Sequence, residues 1–386
     1  MAEERVYPGR VGLQQRVLPL YRVPFVEALA ARCAGGLAVF AGQPRPQEVI
    51  PVAEKLEGVD YSGARNQHLL WGAWYLCRQP DLIPWLARWD PQVLILEANP
   101  RYLSNLAALR WMRQRGRPVL GWGLGAGSGG PLGGLGRWLR SLYYRQFDAL
   151  ISYSSLGAQG YRQAGVDPRR VFVAPNAVAG PPGPYRPRPP LAGRQPRVLF
   201  VGRLQRRKRV DALLRACAGL QPQPELWVVG DGPERIALER LAARLRARAV
   251  FHGAVHGRDL DVLFEAADLF VLPGTGGLAV QQAMAHGLPV IVAEADGSQR
   301  DLVSGEAGWL VPPGDEAALR EALRAALAEA EKLAERGRAA RQVVAERANV
   351  EVMADRFVEA MMAVMKGPGG YDGGTARLEG SHSPHP

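Results

Sequence analysis

Cysteine is nearly missing: three residues in 386, Cys33, Cys77 and Cys217, stand far apart with neither metal-ligand nor framework spacing. That argues against a disulfide-stapled secreted scaffold and against a cysteine-bound metal, and it suits reduced structural thiols. No apolar run approaches the roughly 18 residues of a membrane-spanning helix. The opening MAEERVYPGR carries acids early and has no signal-peptide core. The expectation is a cytoplasmic protein. Lysine is scarce as well, 4 of 48 basic residues, so each lysine that does occur is worth locating. The net charge of +11 is uneven: residues 1–180 hold 21 Lys and Arg against 12 Asp and Glu, and the remainder holds 27 against 25. A basic first half attracts polyanions, whether nucleic acid, anionic lipid or a phosphorylated acceptor.

At this length one core is too few, so two domains are expected. From Gln92 the pattern strand, helix, strand repeats: QVLILEA, a periodic stretch over 104–115, PVLGWGL, a helix over 135–146, ALISYS, a helix ending near Gly165, and VFVAPNAV. That alternation specifies a parallel sheet. Upstream, LQQRVLP and GLAVFAG read as strands around a helix over 22–32, whereas residues 44–90 give no clear pattern. GPPGPYRPRPPLAGRQP, rich in Pro and Gly, then breaks the alternation and reads as a semi-rigid linker. After it the grammar restarts with RVLFVGRL, ELWVVGD, VFHGAV, LFVLPG, PVIVA and GWLVPP, followed by long Ala/Glu/Arg/Leu-rich helices. The expected layout is an α/β protein: a Rossmann-like domain over 1–178, a linker over 179–196, a second Rossmann-like domain with terminal helices over 197–365, and a disordered tail over 366–386.

Two stretches in the second half carry chemistry. FVGRLQRRK, residues 200–208, ends the first strand of that half, and open α/β sheets bind ligands at the carboxyl ends of their strands. Gly202 permits close approach, and Arg203 and Lys208 offer a planar fork and a point charge that can converge on a diphosphate. PGTGGLAVQQAM, residues 273–284, passes from strand to helix through glycines, and a helix N-terminus is an anion site. Gly274, Thr275, Gly276, Gly277 and the amides of Leu278 and Ala279 can cradle phosphate, and Gln282, a turn further in, can reach a ribose hydroxyl. In the first half, Tyr21, Arg22, Glu97, Asn99, Trp122 and Gly123 sit at comparable strand ends and are candidates for an acceptor cleft. A structural turn competes for Glu97 and Asn99, and Asn176 in APNAV reads as a turn cap.

Taken in order and spacing, RVLFVGRLQRRKRVDALLRA, ELWVVGDGPE, VFHGAV, PGTGGLAVQQAMAHGLPVIVAE and GEAGWLVPPGD resemble the C-terminal half of the family-4 retaining glycosyltransferases of GT-B fold. The resemblance spans 197 to about 330. It implies two facing Rossmann-like domains, with Arg203 and Lys208 gripping the donor diphosphate and Gly230, Gly253 and Val255 bordering the base. It also implies a metal-independent transfer of a hexose-type sugar from a nucleotide sugar, with no cofactor, to a glycan or lipid-linked hydroxyl. One departure stands out. Relatives of this kind usually carry two glutamates eight positions apart, and here those positions are Gly274 and Gln282, which implies a branch with altered donor contacts.

Two further matches point elsewhere. Asp259-Leu260-Asp261 fits an Asp-x-Asp metal motif but opens a helix, where acids favour the dipole. Gly125, Gly127 and Gly130 spell G-x-G-x-x-G without an immediate helix, which reads as a loop rather than a nicotinamide site. The helix over 135–146 is basic and amphipathic, with Arg137, Arg140 and Arg145 on one face, so peripheral attachment to an anionic membrane is an open reading beside an ordinary solvated face. A nucleotide-sugar 2-epimerase and a non-catalytic nucleotide-sugar-binding module are the rival functions; nucleic-acid binding lacks a recognised module.

Overall fold

The computed structural model describes residues 5–48, 50–127, 133–185, 191, 193–276, 278–295, 297–303 and 305–365. Residues 366–386, expected as a disordered tail, together with Gly277, Gly130 and part of the linker therefore lie outside the described residues.

The first domain runs β1 (Val11–Val17), α1 (Val23–Ala31), β2 (Leu37–Gly42), β3 (Val59–Ala64), β4 (Gln67–Leu69), β5 (Leu76–Arg78), α2 (Leu82–Trp89), β6 (Val93–Glu97), α3 (Ser104–Arg113), β7 (Val119–Gly123), α4 (Gly133–Tyr144), β8 (Ala149–Ser152), α5 (Ser155–Gln163) and β9 (Val171–Val173). Seven of these strands form one parallel sheet, ordered β3-β2-β1-β6-β7-β8-β9, and β4 and β5 make a separate antiparallel hairpin. Val93–Leu96 are wholly buried, as expected of a central parallel strand covered on both faces. The region that gave no pattern in the sequence, 44–90, holds β3, the hairpin and α2, all short and partly exposed.

The second domain runs β10 (Arg197–Val201), α6 (Val210–Ala218), β11 (Glu225–Val229), α7 (Arg235–Leu245), β12 (Ala249–Gly253), α8 (Gly257–Ala266), β13 (Leu269–Leu272), α9 (Leu278–Ala285), β14 (Val290–Ala293), α10 (Ser298–Leu302), β15 (Gly308–Val311), α11 (Glu316–Ala328), α12 (Leu333–Arg347) and α13 (Val350–Met365). Its six-stranded parallel sheet is ordered β12-β11-β10-β13-β14-β15. In both sheets the strand order reverses beside the first strand, leaving a crevice at the carboxyl ends where ligands bind in such folds.

The last helix departs from the expected layout. α13 is expected in the second domain, yet Val350, Met353, Phe357 and Met361 enter the first domain's core beside Phe25 and Trp122. The Phe357 ring lies 4.8 Å from Phe25 and 5.0 Å from Trp122. Arg32 of α1 pairs with Asp355 at 2.7 Å and Glu351 at 2.8 Å. Asn349 makes the joint: its amide donates to the last carbonyls of α12, Val344 O and Ala345 O, and its Oδ1 accepts from Val352 N at 3.0 Å as an N-cap.

The chain thus crosses between domains twice, and one side chain ties both crossings. Gln281 of α9, 1% exposed, accepts from Val178 N at 2.9 Å and donates to Ala348 O. Val350 N also donates to Ala179 O at 3.0 Å. Gln281→Leu orphans a half-buried N–H and a buried C=O, so a loss of about 2 kcal/mol in unfolding free energy is expected. Chemical denaturation read beside Gln282→Leu, expected to stay within about 0.5 kcal/mol, checks it; equal behaviour of the two variants contradicts the tie.

Candidate functional site

Beyond β10 the chain turns through Gly202 into a single 3-10 turn, Arg206–Lys208, before α6. This turn packs directly on the loop that joins β13 to α9. Thr275 N donates to Arg207 O at 3.1 Å, Lys208 Nζ donates to Thr275 O at 2.6 Å, and Arg207 Nη1 donates to Thr275 Oγ1 at 3.2 Å. The glycines make the approach possible. A Cβ on Gly274 would stand 2.3 Å from Arg207 O, and one on Gly276, whose φ is +132°, would stand 2.3 Å from Lys208 Nζ. The ammonium therefore occupies the space beside Gly276 that any other residue would fill.

Gly276 is also held from the far side. Gln299 of α10, fully buried, donates through Nε2 to Gly276 O at 2.8 Å and accepts from Ala295 N at 3.2 Å. The first turn of α9 begins at Leu278, and Leu278 lines a small cavity with Tyr153, Asn176, Ser298 and Asp301, so the N-terminal end of α9 borders the space between the domains. Ser155 N of α5 donates to Asp301 Oδ2 at 2.6 Å across that space.

The other strand ends close the edge. Gly230, with φ +133°, has its absent Cβ 2.0 Å from Gly202 O, and its N–H donates to Gly253 O at 2.6 Å. Gly202, Gly230 and Gly253 thus form a bare-backbone rim along β10, β11 and β12. Val255 is half-buried and packs against the domain core. Gln282 is half-buried, one residue past the structural Gln281.

Arg203 behaves differently from Lys208. Its guanidinium is exposed and reaches the first domain, where Nη1 donates to Glu48 O at 3.5 Å. The structure therefore places the ammonium on the glycine turn and the guanidinium across the cleft. Arg209 is committed elsewhere, donating to Glu316 at 2.8 Å.

Facing this edge, the first domain presents polar groups at the carboxyl ends of β1, β2 and β6. Arg16 Nη1 donates to Glu48 Oε2 at 2.9 Å, and Arg45 Nη2 donates to Glu48 Oε1 at 3.0 Å. Burial alone would raise the Glu48 carboxyl, but these arginines outweigh it and hold it at about 2. Glu97 accepts from Arg16 N at 2.9 Å and from Tyr102 OH at 3.1 Å. Burial pushes its carboxyl above the ordinary range despite those donors. Behind them Gln14 donates to Gln79 at 2.6 Å, and Gln79 donates to Asn66 at 2.9 Å.

Not every residue expected in the cleft contacts it. Glu97, Asn99, Trp122 and Gly123 line one groove of about 860 Å³, whereas Tyr21 and Arg22 do not. Trp122 is 1% exposed, with Phe25 at 5.3 Å and Phe357 at 5.0 Å between ring centroids, so it is the floor beneath the cleft rather than an acceptor contact. Asn99 Oδ1 accepts from Arg101 N at 3.1 Å in a local turn. Arg22, 5% exposed, lies over the Trp122 ring at 4.8 Å and the Tyr153 ring at 5.1 Å and donates to Asn176 Oδ1. Asn176 is therefore the partner of a buried guanidinium, not a turn cap. Asp261, half of the Asp-x-Asp match, pairs with His286 at 3.2 Å. The residues missed in the sequence are Arg16, Arg45, Glu48, Arg207, Gln281 and Gln299. The one available signal was the polar run Gln14-Gln15-Arg16 inside an otherwise apolar strand.

Two facing parallel-sheet domains, with a basic turn and a glycine loop at the carboxyl edge of the second, define the GT-B class. Residues 195–329 match the family described as Glycosyl transferases group 1, and residues 11–177 match the Glycosyl transferase 4-like domain. The chain belongs to the family-4 type of GT-B glycosyltransferases. It is 35% identical over 155 residues to a sulfoquinovosyl transferase of Arabidopsis thaliana, covering 38% of this chain and 30% of that one. It is 38% identical over 151 residues to a phosphatidyl-myo-inositol mannosyltransferase of Mycobacterium leprae, covering 36% and 40%. The matches thus span well under half the length of these relatives. Among solved structures, sucrose-phosphate synthase of Thermosynechococcus elongatus superposes over 92% of this chain and 99% of its own, with TM-score 0.69 and 21% identity. HepE of Anabaena in complex with UDP does so over 92% and 100%, with TM-score 0.67 and 18% identity. No described helix is long and apolar enough to cross a membrane.

Proposed function

We propose that this chain is a retaining glycosyltransferase that moves a hexose-type sugar from a nucleoside-diphosphate sugar to a hydroxyl of a glycan or lipid-linked acceptor, without a metal ion. The observation that carries the reading is the Lys208 ammonium fixed 2.6 Å from Thr275 O, beside a glycine loop that leads into α9. As the glycosidic bond to phosphate breaks, negative charge grows on the diphosphate. Lys208, with Arg203 from the cleft and the amides of Leu278 and Ala279 at the helix start, meets that charge at the edge that faces the first domain. The rim of Gly202, Gly230 and Gly253 offers backbone to the nucleoside, and Gln282 a diol contact.

Gly274 stands where the resemblance puts a sugar-contacting glutamate. The Arg207 carbonyl closes that position to any side chain, which supports altered sugar contacts in this chain. Retention follows the family resemblance, the departing phosphate oxygen accepting the acceptor's proton on the same face. The UDP bound in the HepE complex supports a nucleotide-linked donor. The basic first half and its helix α4 support peripheral work at the cytoplasmic membrane face in polysaccharide or glycolipid synthesis.

The test is release of nucleoside diphosphate from a panel of nucleotide sugars, with and without acceptors, in EDTA. Acceptor-dependent release that EDTA leaves intact is expected. Loss restored by a divalent cation overturns metal independence, an epimer formed from donor alone favours the epimerase, and binding without turnover favours a binding module.

A further inference from the structure

In a globular domain a surface helix turns its apolar stripe to the core. α4 is inverted. Its footing on the domain is Gly136, Tyr143 and Tyr144, all buried, while Leu135 and Trp138 are each 58% exposed and Leu139 and Leu142 are nearly half exposed. Across from it, the segment joining β4 to β5 leaves Leu70, Trp71 and Trp74 in solvent, Trp71 at 70%. Between these two elements lies the 860 Å³ groove, walled by Leu70, Trp74, Leu124, Leu139 and Leu142 and ending at Glu97 and Gly123 in the cleft. Its size falls within the roughly 300–1,000 Å³ of small-molecule sites. Contiguous exposed apolar surface of this kind marks an interaction site.

Charge identifies the occupant. The 50 residues 98–147 contain eight arginines and neither Asp nor Glu. Arg101 and Arg140 line the groove, and Arg110 and Arg113 line an adjoining hollow that shares Leu106 with it. No ion pair occupies Arg101, Arg110, Arg137 or Arg140 among the described residues. An apolar wall leaves the hydroxyls of a soluble glycan without partners, whereas a hydrocarbon chain under an anionic head group satisfies both wall and rim. Tryptophans at the mouth suit the bilayer interface. Arg145 is excluded from the rim, since its guanidinium lies over Gly165.

We infer that this groove takes the hydrocarbon chain of a phosphate-bearing lipid, which the hairpin and α4 draw from an anionic bilayer surface while the rim arginines meet the phosphates. That this lipid is the acceptor rests on the transfer reading above.

The full chain is mixed with vesicles of phosphatidylcholine alone or with added phosphatidylglycerol, each with and without brominated acyl chains, and tryptophan fluorescence and sedimentation are followed. Binding confined to the anionic vesicles, with bromine quenching reduced in Trp74→Ser and in Trp138→Ser, is expected. Partition falls about fivefold for each of Arg137→Gln and Arg140→Gln. Absent partition, partition without quenching, or a stable dimer that shields these tryptophans overturns the inference. Nucleoside-diphosphate binding measured on the same samples separates the two readings: if it fails while partition persists, the donor site alone is wrong.

Discussion

Replacing Lys208 by alanine is expected to lower sugar transfer by about 10²- to 10³-fold, the loss that follows removal of one preorganised charge-stabilising donor. Three features of the structure make the effect large. The ammonium is positioned in advance by Thr275 O, so no ordering of a flexible chain is required when charge develops. Gln299 fixes Gly276 from behind, which keeps the loop from following the truncated side chain. The turn that carries Lys208 is itself bonded to the loop through Thr275 N and Arg207 O, so the backbone survives the substitution and the deficit reads as lost charge. Lys208→Arg is expected to recover little, because a planar fork cannot occupy the point-like space beside Gly276. Initial-rate measurements on both variants check this, and wild-type turnover by Lys208→Ala contradicts it.

Phe357→Ala is expected to cost about 3–5 kcal/mol of stability, the range for truncating a buried aromatic. Phe357 is fully buried against Phe25 and Trp122, although it belongs to a helix reached only after the whole second domain has been threaded. The cavity would open in the first domain's core, so the unfolding followed by tryptophan fluorescence should shift to lower denaturant. Met365→Ala, on the same helix but half exposed, is expected to change stability by about 0.5 kcal/mol or less. A Phe357 variant within 1 kcal/mol of the parent, on the scale of ordinary surface changes, contradicts the docking of α13.

Periodicity made both sheets legible. QVLILEA, PVLGWGL, RVLFVGRL and LFVLPG are apolar runs between turn signals, and each is a central strand. α13 was legible only as one of the long terminal helices, because a helix stripe at i, i+3, i+4 is equally satisfied by either domain. α4 misled in a related way: its two faces were evident, but burial of Tyr143 and Tyr144 rather than Leu135 and Trp138 depends on the tertiary neighbours of α4. At the site, Lys208 and the glycine loop stood out through lysine scarcity and glycine density. Gln281 and Gln299 did not, since a buried glutamine and a solvated one look alike until the backbone groups they satisfy are placed. Trp122 fell to the core for the same reason, as strand position gives depth along the strand and not exposure.

The second domain's cationic turn is the element on which the functional account stands. Calorimetric titration of nucleoside diphosphates into the parent and into Lys208→Ala addresses it without any knowledge of sugar or acceptor. Binding of at least one diphosphate by the parent, weakened tenfold or more in the variant at about 1.4 kcal/mol per decade, is the predicted result. Equal affinity in both proteins would contradict it.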